Sequence, residues 1–260
     1  MQENRFWAML ADVPLWLETR WEYTPWLFRT YTIEPGEEQR QQYRALARDA
    51  GLDPEQPLRV TAAEIEYERS VQPPEAASFP AYVIESLAVY RKIMDVMQYR
   101  DAIMFHSSAL ELDGKAYLFT APSGTGKSTH TRLWRETFGD RVQMINDDKP
   151  LLRLQADGSW KAYGTPYGGK ENIQNNISQT IGGIALLERG TENEIERLGA
   201  KEAYLCLLIQ TYRNDQKPQA LLHIMDLVGS LANLPVFRLQ CNISQQAVQV
   251  AYEALKGETR

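Results

Sequence analysis

The chain has 260 residues, 43% of them hydrophobic and 24% charged, so it can bury a substantial core, as one large domain or a main domain with a smaller one, without disulfides or structural metals. A net charge of −6 and a pI of about 5.3 leave no basic footprint for nucleic acid, and at a mean hydropathy of −0.44 no stretch approaches the roughly 18 apolar residues of a membrane span. Cys206 and Cys241 both sit in apolar contexts and imply buried, reduced thiols in a cytoplasmic protein rather than a disulfide framework.

Residues 1–18 interrupt their apolar positions with Glu3 and Asp12 and lack the charged start and continuous apolar run of a signal peptide. Trp7, Trp16, Trp21 and Trp26 make this front part rich in tryptophan. The alternation from Trp26 to Ile33 predicts a strand, closed by Pro35-Gly36. The polar run Glu37 to Ala50 predicts a helix that Gly51 stops. Leu58 to Glu66 reads as another strand, and the prolines of Ser70 to Pro80 as a linker or long loop. A small α+β region over residues 1–80 is therefore expected ahead of a main domain over residues 81–260.

In that main domain Val83, Leu87, Tyr90, Ile93, Met94 and Met97 recur at helical spacing, which predicts one amphipathic helix from Ala81 to Tyr99. Ala102 to His106 and Ser107 to Leu112 follow. Asp113-Gly114 is a hairpin turn signal, and Lys115 to Thr120 resumes as an apolar strand. A helix should end near Gly139, and a short strand covers Val142 to Ile145. Leu151–Leu154 should pair with Lys161–Tyr163 across Asp157-Gly158. The last third predicts strands at Ile184–Glu188 and Glu194–Leu198, helices at Lys201–Thr211 and Pro218–Leu231, a strand at Val236–Leu239, and a helix opened by Ser244 that runs to Lys256. Strands mixed with helices in this order predict an α/β domain with a mixed sheet.

Between the strand ending at Thr120 and the next helix lies Ala121-Pro122-Ser123-Gly124-Thr125-Gly126-Lys127-Ser128-Thr129. It matches the phosphate-loop pattern G-x-x-x-x-G-K-[ST], with Ala121 where the first glycine usually sits. Gly124 and Gly126 let the backbone curl so that successive N–H groups face one anion. The helix start adds its positive dipole end. Lys127 would place a point charge on the β- and γ-phosphates, and the Ser128 hydroxyl would ligate Mg²⁺. Ser123 through Thr129 are thus the expected nucleotide ligands. The competing interpretation is a glycine-rich strand-to-helix turn with no ligand.

Phosphoryl transfer also needs a carboxylate beside the metal, and Asp147-Asp148, after the strand Val142–Ile145, supplies a pair. One could serve the metal while the other takes a proton from an attacking hydroxyl; a plain Asn-Asp-Asp turn is the alternative. His106, taken alone, reads as structural, as do His130 and His223, and the three have no metal-binding spacing. Gly164-Thr165-Pro166-Tyr167-Gly168-Gly169-Lys170 is a second glycine-rich stretch. It is either a mobile loop that brings Lys170 to the phosphates or a turn between strands.

Together, His106, the Ser123-Gly124-Thr125-Gly126-Lys127-Ser128 core and Asp147-Asp148 resemble the catalytic domain of HPr kinase/phosphorylase, whose fold is shared with ATP-dependent phosphoenolpyruvate carboxykinase. Both families pair such a loop with a following Asp-Asp. The likeness covers residues 100 to 170 well and extends more loosely to 260. It implies ATP and Mg²⁺ as cofactors and transfer of the γ-phosphate to a serine hydroxyl. Lys127 and Ser128 would hold phosphate and metal, Asp148 would join the metal, Asp147 is favoured as the base, and His106 would assist near the acids. Residues 1–80 do not resemble the amino-terminal domain of that regulator, and its downstream glycine-rich signature and arginine are not found. The expected partner is a hydroxyl acceptor (peptide, protein or small molecule), with homo-oligomerisation open and neither nucleic acid nor membrane involved. A carboxykinase-like enzyme and a nucleotide-binding regulatory module without catalysis are the alternatives.

Overall fold

The computed structural model describes residues 3–74, 78–214 and 218–257, and its contacts divide the chain into two compact units, Met1–Arg100 and Asp101–Arg260. The first unit begins with an antiparallel hairpin, β1 (Asn4–Leu10) and β2 (Val13–Thr19), in which Trp7 faces Trp16. Its turn places Ala11 and Asp12 at φ of 48° and 59°. Positive φ at both central residues matches the twist of the strands, but Ala-Asp lacks the Asn-Gly signature that would have exposed the hairpin in the sequence.

Two segments expected as strands form none: the first is a helix end followed by a turn, and the second leads irregularly into a helix start. Trp26–Ile33 contains the end of α1 (Tyr23–Leu27), where the Phe28 N–H donates to the Thr24 carbonyl at 3.0 Å. The buried side chains there are Phe28 and Tyr31, three apart, so a helical rather than an alternating period decides the segment. Leu58–Glu66 contains the start of α3 (Ala62–Val71). Thr61 Oγ1 accepts the Glu64 N–H at 3.2 Å and the Glu64 carboxylate accepts the Thr61 N–H at 2.6 Å. This capping box satisfies helix-start donors that a strand would have left to a partner. Helices α2 (Glu37–Asp49) and α4 (Ala81–Met97) lie where the sequence places them, and Gly51 leaves α2 at φ +70°. Of the expected linker Ser70–Pro80, Glu75–Ala77 lie outside the described residues. Helix α4 packs on α3, with Arg91 on Glu68 and Lys92 Nζ 2.7 Å from Glu64. The helix expected to open the main domain lies within the first compact unit, which ends at Arg100.

The second unit is mixed α/β with a curled mixed sheet. Its strands are β3 (Ala102–Met104), β4 (Ser108–Leu112), β5 (Lys115–Thr120), β6 (Gln143–Asn146), β7 (Leu151–Leu154), β8 (Trp160–Tyr163), β9 (Ser178–Arg189), β10 (Glu194–Arg197) and β11 (Val236–Cys241). They run β3-β7-β8-β9-β5-β4-β6, with β11 beside β9 and β10 beside β11. β9 pairs with β8 through its first residues and with β11 through its last. β10 follows β9 in sequence but pairs antiparallel with β11. The Asp113-Gly114 turn, at φ 53° and 77°, joins β4 to β5, and Gly158 at φ +83° turns β7 into β8.

Alternation along β5 builds a core on each face. Tyr117 and Phe119 pack with Leu133 and Trp134 of α5 (Lys127–Phe138) and Leu255 of α8 (Gln245–Gly257). Leu118 points the other way, into a cluster with Leu207 of α6 (Ala200–Gln210) and Leu227 and Leu231 of α7 (Pro218–Leu231). Strand direction then singles out one edge of the sheet. β4 is antiparallel to both β5 and β6, so these two run the same way, and β9 and β11 run with them. Their carboxyl ends, Thr120, Asn146, Arg189 and Cys241, share one edge of the sheet with the start of β4. Open α/β sheets bind their ligands beyond that edge.

Candidate functional site

The segment after β5 leaves the sheet at Ala121, which is fully buried and small enough to stay in the core beneath α5. Pro122, Ser123 and Gly124 are exposed. Gly124 has φ +80° and Gly126, the residue before α5, φ +129°; a Cβ at either would meet nothing within 4 Å. The demand for glycine at both is therefore conformational and not one of space. Lys127 is 9% exposed, and its ammonium donates to the Ala121 carbonyl at 3.0 Å, so the side chain folds back inside the loop. Burial lowers its pKa from the ordinary lysine value, and the charge of Asp148 acts in the opposite sense. Ser128 is exposed at the first turn of the helix and Thr129 is half-buried.

Two strands away, β6 ends in Asn146 and the paired acids. Asn146 is fully buried and uses both ends of its carboxamide. Its Oδ1 accepts the N–H groups of Asp148 (2.8 Å) and Lys149 (2.7 Å), which bends the chain just past the strand. Its Nδ2 donates to Thr165 Oγ1 (3.1 Å) and to the Tyr167 carbonyl (3.2 Å), which brings the second glycine-rich stretch against the acids. Asp147 is 4% exposed and its Oδ1 accepts the Gly169 N–H at 2.7 Å. Burial raises its carboxyl above the ordinary aspartate value against the pull of that hydrogen bond, and the charges of Asp148 and Glu171 push the same way as burial. For Asp148, burial would also raise the pKa. His106 Nε2 at 3.2 Å and Lys149 Nζ at 3.4 Å outweigh it, and the net shift is downward. The two neighbouring carboxyls are thus shifted in opposite directions, Asp147 upward and Asp148 downward.

The 164–170 stretch packs onto the acid strand. A Cβ at Gly164 would fall 1.8 Å from the Asn175 carbonyl, and one at Gly169 2.9 Å from Asp147 Oδ2. Those glycines serve close approach. Lys170 is exposed. His106 is tied to the site at both its backbone and its ring: its N–H donates to the Gln210 carbonyl at 2.8 Å, and its carbonyl accepts Thr120 Oγ1 at 2.8 Å. His130 accepts the Trp134 indole N–H at 3.0 Å, and burial pushes its pKa down to about 4, so it is a neutral packing residue. His223 pairs with Asp101 at 3.1 Å.

Arg189, at the end of β9, escaped the sequence analysis. Its Nε donates to the Thr125 carbonyl at 3.1 Å and its Nη2 to the Gly124 carbonyl at 2.5 Å, so it clasps the loop from the neighbouring strand. Two cavities adjoin this clasp, and Arg189 lines both. One, of about 630 Å³, lies between the loop and α6 and reaches Cys206, Ile209 and Gln210. The other, of about 460 Å³, lies against α5 and reaches Thr129, Leu133, Asn242 and Ile243. Asn146 and Arg189 are the site residues that pattern reading missed. The only sequence signal for either was the Asn preceding the acid pair.

Among the described residues no three His, Cys, Asp or Glu side chains gather as a metal-binding group. The oxygens of Ser128 and Asp148 are hard donors of the kind that Mg²⁺ takes together with water and phosphate. No helix among the described residues is long and apolar enough to cross a membrane.

No protein-family model matches the chain, and no curated protein matches it. A solved structure of the HPr(Ser) kinase/phosphatase from Coxiella burnetii is similar over 59% of this chain and 93% of that one, with 10% sequence identity and a TM-score of 0.34. A likeness at that level assigns no role to any residue here.

Proposed function

We propose that the chain is a phosphoryl-transfer enzyme, built on a phosphate-loop domain of the HPr kinase and phosphoenolpyruvate carboxykinase type. It binds ATP with Mg²⁺ on Ser123–Thr129 and passes the γ-phosphate to a serine-type hydroxyl of a peptide, protein or small molecule. The observation that carries this reading is Lys127. An ammonium withdrawn from solvent into a loop of exposed backbone, at the sheet edge that also bears two carboxylates, is an expensive arrangement unless an anion shares it.

The loop amides and Lys127 hold the phosphates, and the start of α5 adds its dipole. Ser128 and Asp148 would hold Mg²⁺, which neutralises phosphate charge when bound. Asp148 suits that role because His106 and Lys149 keep it ionised. Asp147 is the base: its raised pKa makes it the better proton acceptor, and Gly169 fixes its orientation. The acceptor oxygen forms a bond to the γ-phosphorus, the bond from that phosphorus to the β,γ-bridging oxygen breaks, ADP leaves, and the hydroxyl proton passes to Asp147. His106 acts through Asp148 and is a positioning residue.

Titration calorimetry with Mg·ATP is expected to show Lys127→Ala weakening binding about tenfold or more. Asp147→Asn should bind ATP as the parent does yet transfer no label from γ-labelled ATP to acceptors. If the parent yields label only as free phosphate with every acceptor class, the kinase assignment is wrong. If ATP does not bind at all, so is the loop assignment.

A further inference from the structure

We infer that the nucleoside of the bound nucleotide occupies the cavity of about 460 Å³ between α5 and the ends of β9 and β11, not the larger cavity on the α6 side. The inference rests on the phosphate-binding role proposed for the loop. Its first argument is direction. The acids stand at the end of β6, separated from the loop strand by β4, while β9 and β11 lie on the loop's other flank. A triphosphate whose γ end faces the acids must send its nucleoside toward β9.

Two cavities wait on that flank, and both touch Gly124, Thr125, Leu187, Glu188 and Arg189. The Arg189 guanidinium, bound to the loop carbonyls, lines both of them. Only the smaller cavity reaches the first turn of α5, through Gly126, Thr129 and His130. The phosphates bind at that turn, and one sugar is a short tether, so the base must settle beside it. A volume of about 460 Å³ falls within the roughly 300–1,000 Å³ of ordinary small-molecule sites.

The lining has the right chemistry for a flat ring with apolar faces and a polar rim. Leu133, reached by this cavity and not by the larger, joins the shared Leu187 in an apolar wall, and Asn242 adds a polar carboxamide to the lining. Ile243 is 76% exposed, a large aliphatic side chain left uncovered at the mouth; a base laid against the wall would cover it.

The test compares two ligands, Mg·ATP and inorganic tripolyphosphate, by titration calorimetry on the full chain, in the parent, Ile243→Ser, Ile209→Ser and Lys127→Ala. Ile243 and Ile209 (73% exposed) are both surface residues, so neither change threatens the fold. The parent should bind ATP more tightly than tripolyphosphate. Ile243→Ser should remove about tenfold of the ATP affinity and none of the tripolyphosphate affinity. Ile209→Ser, in the other cavity, should change neither. Unchanged ATP binding in Ile243→Ser, or weakened ATP binding in Ile209→Ser, overturns the placement of the base. So does equal affinity of the parent for the two ligands. In each of those cases tripolyphosphate binding that Lys127→Ala weakens about tenfold or more keeps the phosphate role intact. A parent that binds neither ligand removes both.

Discussion

Asn146 has its carboxamide committed in both directions, accepting two backbone N–H groups and donating into the 164–167 segment from a fully buried position. Asn146→Leu would take the acceptor away from the Asp148 and Lys149 N–H groups, at about 1–3 kcal/mol each, so urea denaturation should show a loss of about 2–6 kcal/mol. Gly168 offers a finer probe. A Cβ there would lie 2.0 Å from Gln174 Oε1 and 2.7 Å from Asp147 Oδ1. Gly168→Ala should displace the Asp147 carboxylate and depress phosphoryl transfer while ATP affinity, measured by calorimetry, stays within about twofold. These positions also show which residues a sequence discloses. Gly124 and Gly126 were legible because backbone curvature demands glycine locally, and Lys127 because it belongs to the same short string. Asn146 and Arg189 were not, because their partners lie 19 and 65 residues away and nothing in the intervening chain announces the meeting.

Helix α5 joins the loop to the core. Trp134, fully buried, meets the rings of Phe119 (5.2 Å), Tyr117 (5.7 Å), Phe138 (5.5 Å) and Tyr252 (5.8 Å). Trp134→Ala should destabilise the protein by about 3–5 kcal/mol in chemical denaturation, through lost burial and the cavity left behind. Legibility at this level divides by the kind of signal. From Ala102 onward, strands bounded by Asp-Gly turns and helices begun by Pro218 or Ser244 formed close to where their patterns put them. In the first hundred residues the apolar pattern misled. Aromatic and β-branched runs at Trp26–Ile33 and Leu58–Glu66 imitate strands, while a three-residue spacing of buried rings closes the first as a helix end and turn and capping chemistry starts a helix in the second. What no local pattern held was pairing: that β10 joins β11 and that β4 lies between the loop strand and the acid strand are long-range facts.

The core clusters on both faces of the large sheet draw only on residues from Ile103 onward. A chain of residues 101–260 alone should therefore unfold in one cooperative transition and bind Mg·ATP with the affinity of the whole protein. A molten fragment, lacking a near-ultraviolet dichroism signal, would show that this unit depends on the first hundred residues. Such a fragment sheds Trp7, Trp16, Trp21 and Trp26 and keeps only Trp134 and Trp160. Trp134 gives its indole proton to His130, and the His130 amide is bonded at 2.9 Å to the carbonyl of Gly126, where the loop becomes helix. Any anion that tightens that turn pulls on the histidine and through it on the indole. The protein thus carries its own fluorophore two hydrogen bonds from the place where phosphate would arrive, and its emission should report occupancy with no dye attached.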